Sequence, residues 1–219
     1  MNFLKVKICC VQSLDEAKLA IKYGASAIGL VSEMPSGPGV ISEKLILKIA
    51  SQIPSNIKTF LLTSKLATED IILQLKKCKT NTVQLVDSVE LKVYNKLRKE
   101  IPEISIVQVI HIAGKESINN ARKVEKYVDA ILLDSGNQNK KIKELGGTGR
   151  THNWEISRQI VDQLKIPVYL AGGLNTENIK EAVQFVHPYG VDLCSGVKTN
   201  NKLDEDKLKR FFDTLKSLN

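Results

Sequence analysis

The feature that most constrains this chain is a rhythm. Short apolar, β-rich runs alternate with longer amphipathic runs from one end to the other, eight of each, with no break in composition and no linker. The strand-like runs fall at residues 5–10, 27–31, 57–63, 81–86, 104–112, 130–134, 167–173 and 191–196. The helix-like runs fall at residues 14–24, 42–53, 67–78, 90–101, 116–127, 153–164, 176–186 and 204–218. The second kind carries apolar residues at helical spacing: Ile71, Ile72 and Leu75 form one such stripe. Strict alternation of this sort demands parallel strands joined by crossover helices. Eight units predict a closed α/β structure, the (β/α)8 or TIM barrel, over residues 1–219 as a single domain. A doubly wound open sheet is the alternative.

Local signals agree. Ser13 stands three residues before Glu16, the spacing of a capping box. Asn175 is placed to cap the seventh helix, and Gly24 to end the first in a left-handed turn. A chain of 219 residues, 42% of them hydrophobic and 26% charged, can bury one full core. It has no apolar stretch long enough to span a membrane, and its first residues do not read as a secretory leader, so a cytoplasmic location is the default expectation. The formal charge of +8 admits nucleic acid or small anions as partners. The lysines are scattered, though, and their densest groups sit in helix-like segments, which disfavours nucleic acid. The four cysteines, Cys9, Cys10, Cys78 and Cys194, show no CxxC spacing, so reduced thiols and no metal site are expected.

A barrel of this class carries its chemistry at the C-terminal ends of its strands. In "KVKICC" one parity holds Lys5, Lys7 and Cys9, and the other Val6, Ile8 and Cys10. Lysines are costly in the packed layer between strands and helices. Lys7 and Cys9 are therefore expected to face the barrel interior and Cys10 the packed layer. An ammonium one step below Cys9 favours its thiolate, which makes Cys9 a base or nucleophile; simple space-filling is the alternative. Asp134 ends "AILLD", where a partly desolvated acid can serve as a general acid. A helix cap, or a salt bridge to lysines of "NQNKKIKE", accounts for it equally well. Gly172 and Gly173 in "LAGGLN", with Ser195 and Gly196 in "DLCSGV", follow the last two strands, the usual phosphate site of such barrels. Plain tight turns are the competing reading. The glycine-rich "ELGGTGRTHNW", with Arg150, suits a loop closing over the site. His111, His152 and His187 are not spaced as metal ligands and read as structural or solvated.

These segments, in order and spacing, resemble the phosphoribosylanthranilate isomerase family over nearly the whole chain. "KIC", "LLD", "GGTG" followed by a tryptophan, "GGLN" and "VD" followed by "SGV" carry the resemblance. It implies an Amadori rearrangement of a phosphorylated aminoaldose to an aminoketose, in tryptophan biosynthesis. Cys9 would be the general base, Asp134 the general acid, and Lys7, Asp192, Gly39 and Arg150 would lie around the substrate. It implies no metal or organic cofactor and a phosphorylated small molecule as partner. The departures are equally specific. Gly39 stands where the family has an arginine for the anthranilate carboxylate, Cys10 where it has glycine, Val86 and Asp87 where it has "HG", His152 and Asn153 where it has "FD", and Lys198 where it has an acid. Losing an arginine–carboxylate contact costs roughly 2–4 kcal/mol. The altered loop thus predicts weak turnover of phosphoribosylanthranilate unless Arg150 or Lys198 compensates. It keeps open a relative acting on another phosphorylated sugar, and a non-catalytic binder.

Overall fold

The computed structural model describes residues 4–136, 143, 145–147 and 149–217. Eight parallel strands close into a barrel in chain order. They are β1 (Lys5–Ile8), β2 (Ala27–Val31), β3 (Lys58–Thr63), β4 (Thr82–Leu85), β5 (Ser105–His111), β6 (Ala130–Asp134), β7 (Val168–Leu170) and β8 (Gly190–Leu193). Helices alternate with them: α1 (Leu14–Tyr23), α2 (Glu43–Ala50), α3 (Thr68–Cys78), α4 (Leu91–Glu100), α5 (Glu116–Val124), α6 (Trp154–Gln163), α7 (Ile179–Val186) and α8 (Glu205–Lys216). A short ribbon of β9 (Lys198–Thr199) and β10 (Lys202–Leu203) intervenes before α8. The closed barrel stands, and the open sheet is excluded: β1 pairs with β8 through Lys5↔Gly190, Val6↔Val191, Lys7↔Asp192 and Ile8↔Leu193.

Strand parity divides the interior in two. One set of side chains, including Val6, Ile8, Ile28, Leu30, Leu61, Leu85, Ile131 and Leu133, packs against the helices. The other set fills the barrel and includes Cys9, Ala27, Val31, Phe60, Leu62, Val109, Leu132 and Tyr169. Burial of both faces explains why these strands read as continuous apolar runs. Lys7 belongs to the second set and is fully buried, whereas Lys5 lies exposed at the start of its strand.

The helix ends follow the sequence signals with two refinements. Ser13 Oγ accepts from the Glu16 amide at 3.1 Å, but Glu16 reaches back to the Gln12 amide rather than to Ser13. Asn175 Oδ1 accepts from the amides of Glu177 and Asn178, so it caps a turn that precedes the regular part of α7. Gly24 ends α1 at φ 118°, as a left-handed cap requires. Among the described residues no helix is long and apolar enough to cross a membrane.

Ile28 is completely buried in the strand–helix layer. Ile28→Ala is expected to cost about 2–5 kcal/mol, through lost burial and the cavity left behind. Urea unfolding measures it, and a loss below about 1 kcal/mol would show that the layer collapses around the gap.

Candidate active site

The mouth of the barrel, at the C-terminal ends of the strands, opens into a pocket. Cys9, Cys10, Asp134, Gly172, Gly173, Asp192, Cys194 and Ser195 all line it. Seven positions singled out in the sequence thus meet in one place: Cys9, Asp134, Gly172, Gly173, Asp192 and Ser195 in the wall, with Lys7 beneath them. Gly39, Arg150 and Gly196 are not part of the wall.

Lys7 is the electrostatic centre. Its ammonium bonds Asp192 Oδ2 at 2.8 Å and lies 5.1 Å from the centroid of the Phe60 ring. Burial opposes its charge, yet Asp192 and Cys9 hold its pKa above the ordinary lysine value. The Cys9 thiol comes down to about 6. The largest cause is a hydrogen bond from the Cys10 side chain; burial opposes it, and the Lys7 charge adds to it. Burial, then the Cys9 charge, pushes Asp192 upward against the pull of Lys7. One cation therefore faces two acids, and the second Asp192 oxygen, Oδ1, is buried without a hydrogen-bond partner among the described residues. Gly29 makes this cluster possible: a Cβ there would lie 2.8 Å from Cys9 Sγ and 3.1 Å from Lys7 Nζ. Sequence reasoning passed over Gly29, although a glycine inside "AIGLV" is the usual mark of a close approach.

Cys10 departs from expectation. The run "KVKICC" predicts that it faces the packed layer, but β1 ends at Ile8 and Cys10 adopts φ 59°. Once the strand ends, parity no longer governs direction. Cys10 instead packs with the barrel-interior set, and its sulfur lies 2.8 Å from that of Cys194. Contacts with the sulfurs of Cys194 and Cys9, then burial, hold its thiol well above the ordinary range. It therefore stays protonated and can donate to the Cys9 thiolate. A left-handed conformation costs a non-glycine residue about 1–2 kcal/mol, which accounts for the glycine usual at this position in the resembled family.

Asp134 closes the other side. It is buried, and its Oδ1 accepts from the Ser135 amide at 2.7 Å. Gly146 comes so near that a Cβ there would sit 2.7 Å from Asp134 Oδ2. Of the lysines offered as alternative partners, Lys140 and Lys141 lie outside the described residues, and Lys143 turns to Asp87 instead. The segment after β6 rests on the segment after β2: Ser36 Oγ donates to the Lys143 carbonyl at 2.6 Å, and a Cβ on Gly147 would meet Pro38 at 2.5 Å. Lys143 also pairs with Asp87 at 2.5 Å. Arg150 is exposed, and its backbone runs against Gly172 and Gly173.

Gly172 and Gly173 adopt φ 81° and 64°, and their amides have no acceptor among the described residues. Two such amides side by side at a strand end form a cradle for an anion. A Cβ on Gly196 would lie 2.1 Å from the Leu174 carbonyl, so loops seven and eight pack directly together. His152 bonds Ser157 Oγ at 2.8 Å, and burial lowers its pKa to about 4, against the pull of Asp134. It stands as a neutral ring beside loop seven. His111 bonds the Val86 carbonyl at 2.9 Å. Among the described residues no cluster could hold a metal ion.

A closed (β/α)8 barrel with a lysine-flanked thiol, a buried carboxylate and a pair of glycine amides at its mouth suits acid–base chemistry on a small anionic molecule. A family model described as N-(5′-phosphoribosyl)anthranilate (PRA) isomerase matches residues 6–214. The chain belongs to the phosphoribosylanthranilate isomerase family. It is 36% identical over 217 residues to N-(5′-phosphoribosyl)anthranilate isomerase 2 of Methanosarcina mazei, covering 98% of this chain and 95% of that one. It is 35% identical to the Bacillus cereus isomerase over 214 residues, covering 95% and 96%. Among solved structures, the Thermotoga maritima isomerase is 26% identical with a TM-score of 0.83, covering 98% of this chain and 100% of that one. Another isomerase, solved in complex with reduced 1-(o-carboxyphenylamino)-1-deoxyribulose 5-phosphate, is 25% identical with a TM-score of 0.81, covering 98% and 100%.

Two outcomes test this geometry. Where the reaction needs the Cys9 thiolate, kcat/KM falls as pH drops below about 6. Cys10→Ala removes the S–H donor, so the acid limb is expected to move to higher pH; an unmoved limb would show that Lys7 alone sets the thiolate. The second concerns Gly39, at φ 81°, where a Cβ would lie 2.5 Å from Cys10 Cβ. Gly39→Arg alone is therefore expected to destabilise the protein. Adding Cys10→Gly removes the nearest clashing atom but leaves the residue-10 Cα at 2.9 Å, so relief is partial, and a double-mutant cycle in urea should show coupling of about 0.5–3 kcal/mol.

Proposed function

We propose that this protein isomerises phosphoribosylanthranilate by general acid–base catalysis, with Cys9 as base and Asp134 as acid. The arrangement of Cys9 over the Lys7–Asp192 pair carries the reading, because it supplies a thiolate near neutral pH inside a buried site. The phosphate sits on the amides of Gly172 and Gly173, against the loop of Ser195 and Gly196. Asp134 gives its proton to the ring oxygen, and the ribose opens as an iminium. Cys9 takes the proton from the neighbouring carbon, leaving an enolamine. That enolamine rearranges to the ketone, and the proton on Cys9 is available for return to the substrate. The unpartnered Asp192 Oδ1 is placed to accept a substrate hydroxyl. No step calls for a cofactor. Gly39 favours one second reading, a phosphorylated sugar compound lacking the carboxylate, because loop two offers no cation among its residues 34–40.

The test is rescue of a tryptophan auxotroph that lacks the isomerase, followed by kinetics. Rescue at normal expression, with kcat/KM of about 10⁴ M⁻¹s⁻¹ or more, is expected. Cys9→Ser should lower kcat by about 10²–10⁴-fold with the fold intact, since a serine hydroxyl stays protonated where the thiol ionises. Absence of rescue by soluble protein would discard the substrate, and a fully active Cys9→Ser would discard the base.

A further inference from the structure

Lys198 is a buried cation without a counter-charge among the described residues. It opens the β9–β10 ribbon, turns inward and is 7% exposed. Its ammonium donates to the carbonyl of Cys10 and, at 3.4 Å, to that of Asn201. Among the described residues no carboxylate pairs with it. Lys7, the other deeply buried lysine, has Asp192 at 2.8 Å. A charge removed from water is stabilised by an opposite charge or by hydrogen bonds to it, and two carbonyls satisfy Lys198 only in part.

Its position relates it to the mouth. Lys198 lines a cleft with Pro38, Cys194, Ser195, Asn200 and Asn201, and the first three of these also wall the main pocket. The Cys10 carbonyl that takes its hydrogen bond lies 3.3 Å from where a Cβ on Gly39 would stand. The ammonium is thus one carbonyl away from the loop-two backbone. Of the other cations near the mouth, Lys7 pairs with Asp192, Lys143 pairs with Asp87, and Arg150 is exposed.

Resting on the substrate proposed above, which is anionic at both ends, we infer that Lys198 receives the aromatic carboxylate, exchanging its long bond to Asn201 for it. The phosphate stays on loop seven, and the loop-two position is left to a glycine that only makes room for Cys10. Lys198 is then the residue that selects a carboxylate-bearing substrate.

The experiment is calorimetric titration of wild type, Lys198→Met and Lys198→Arg with anthranilate, with aniline and with inorganic phosphate. Far-ultraviolet circular dichroism checks the fold of each. Wild type should bind anthranilate better than aniline. Lys198→Met should lose about tenfold or more on anthranilate alone, and Lys198→Arg should keep the preference. Three results would overturn the assignment: no preference in wild type, an equal loss on all three probes, or a loss confined to phosphate. Turnover of phosphoribosylanthranilate by wild type is read separately. If it is absent while Lys198 still governs anthranilate binding, the proposed reaction fails and this assignment stands.

Discussion

The Lys7–Asp192 ion pair lies in the seam where the first and last strands meet, and much of the structure depends on it. Lys7 and Asp192 are register partners in the β1–β8 ladder, and their side chains join inside the barrel at 2.8 Å. A slip of one residue would turn Lys7 into the apolar layer beneath the helices. Breaking a buried pair by removing one partner costs about 3–5 kcal/mol, because the other charge is left behind. The pair therefore fixes the register that closes the barrel. The same closure puts an ammonium under Cys9, so fold and reactivity are set by one contact. That economy has a cost in the second acid: burial, and then the ionised Cys9 that shares its cation, push Asp192 upward.

How much of this was legible depends on which physical rule governed each segment. β2 and β6 coincide with the runs at residues 27–31 and 130–134, since continuous apolar runs are what doubly buried parallel strands require. The inward direction of Lys7 and Cys9 followed from the cost of placing lysine in an apolar layer. Cys10 escaped the same logic. Alternation holds only while the strand lasts, and nothing in "ICC" announces a left-handed residue. The apolar run at residues 167–173 overshoots β7 for a similar reason: its two glycines belong to the turn, not the ladder. Lys198 was visible as a departure from the family pattern, but its burial and its two carbonyl partners needed the packing of β9 against the end of β1.

The departures from the family pattern are coupled through space, which single positions in a sequence do not reveal. A glycine at 39 and a cysteine at 10 fit each other: any side chain on Gly39 would run into the Cys10 Cβ. The Cys10 backbone adds to this crowding, with its Cα 2.9 Å from where a Cβ on Gly39 would stand, and Gly39 itself holds a positive φ. The Cys10 carbonyl, turned by its left-handed backbone, then meets Lys198 on the far side. Three substitutions far apart in the chain thus occupy one small volume.

That volume also contains the sulfurs. Cys9, Cys10 and Cys194 line one pocket, with the last two in contact at 2.8 Å. A thiol is a useful base here because its acidity responds steeply to its surroundings. The Cys10 S–H lowers the Cys9 pKa most, burial acts in the opposite direction, and Lys7 lowers it further from below. The balance leaves Cys9 ionised just below neutrality, close to where a general base is most effective. The residue replacing the family glycine therefore has two effects at once. It reshapes the binding end of the mouth, and it adds a hydrogen-bond donor to the group proposed to move the proton.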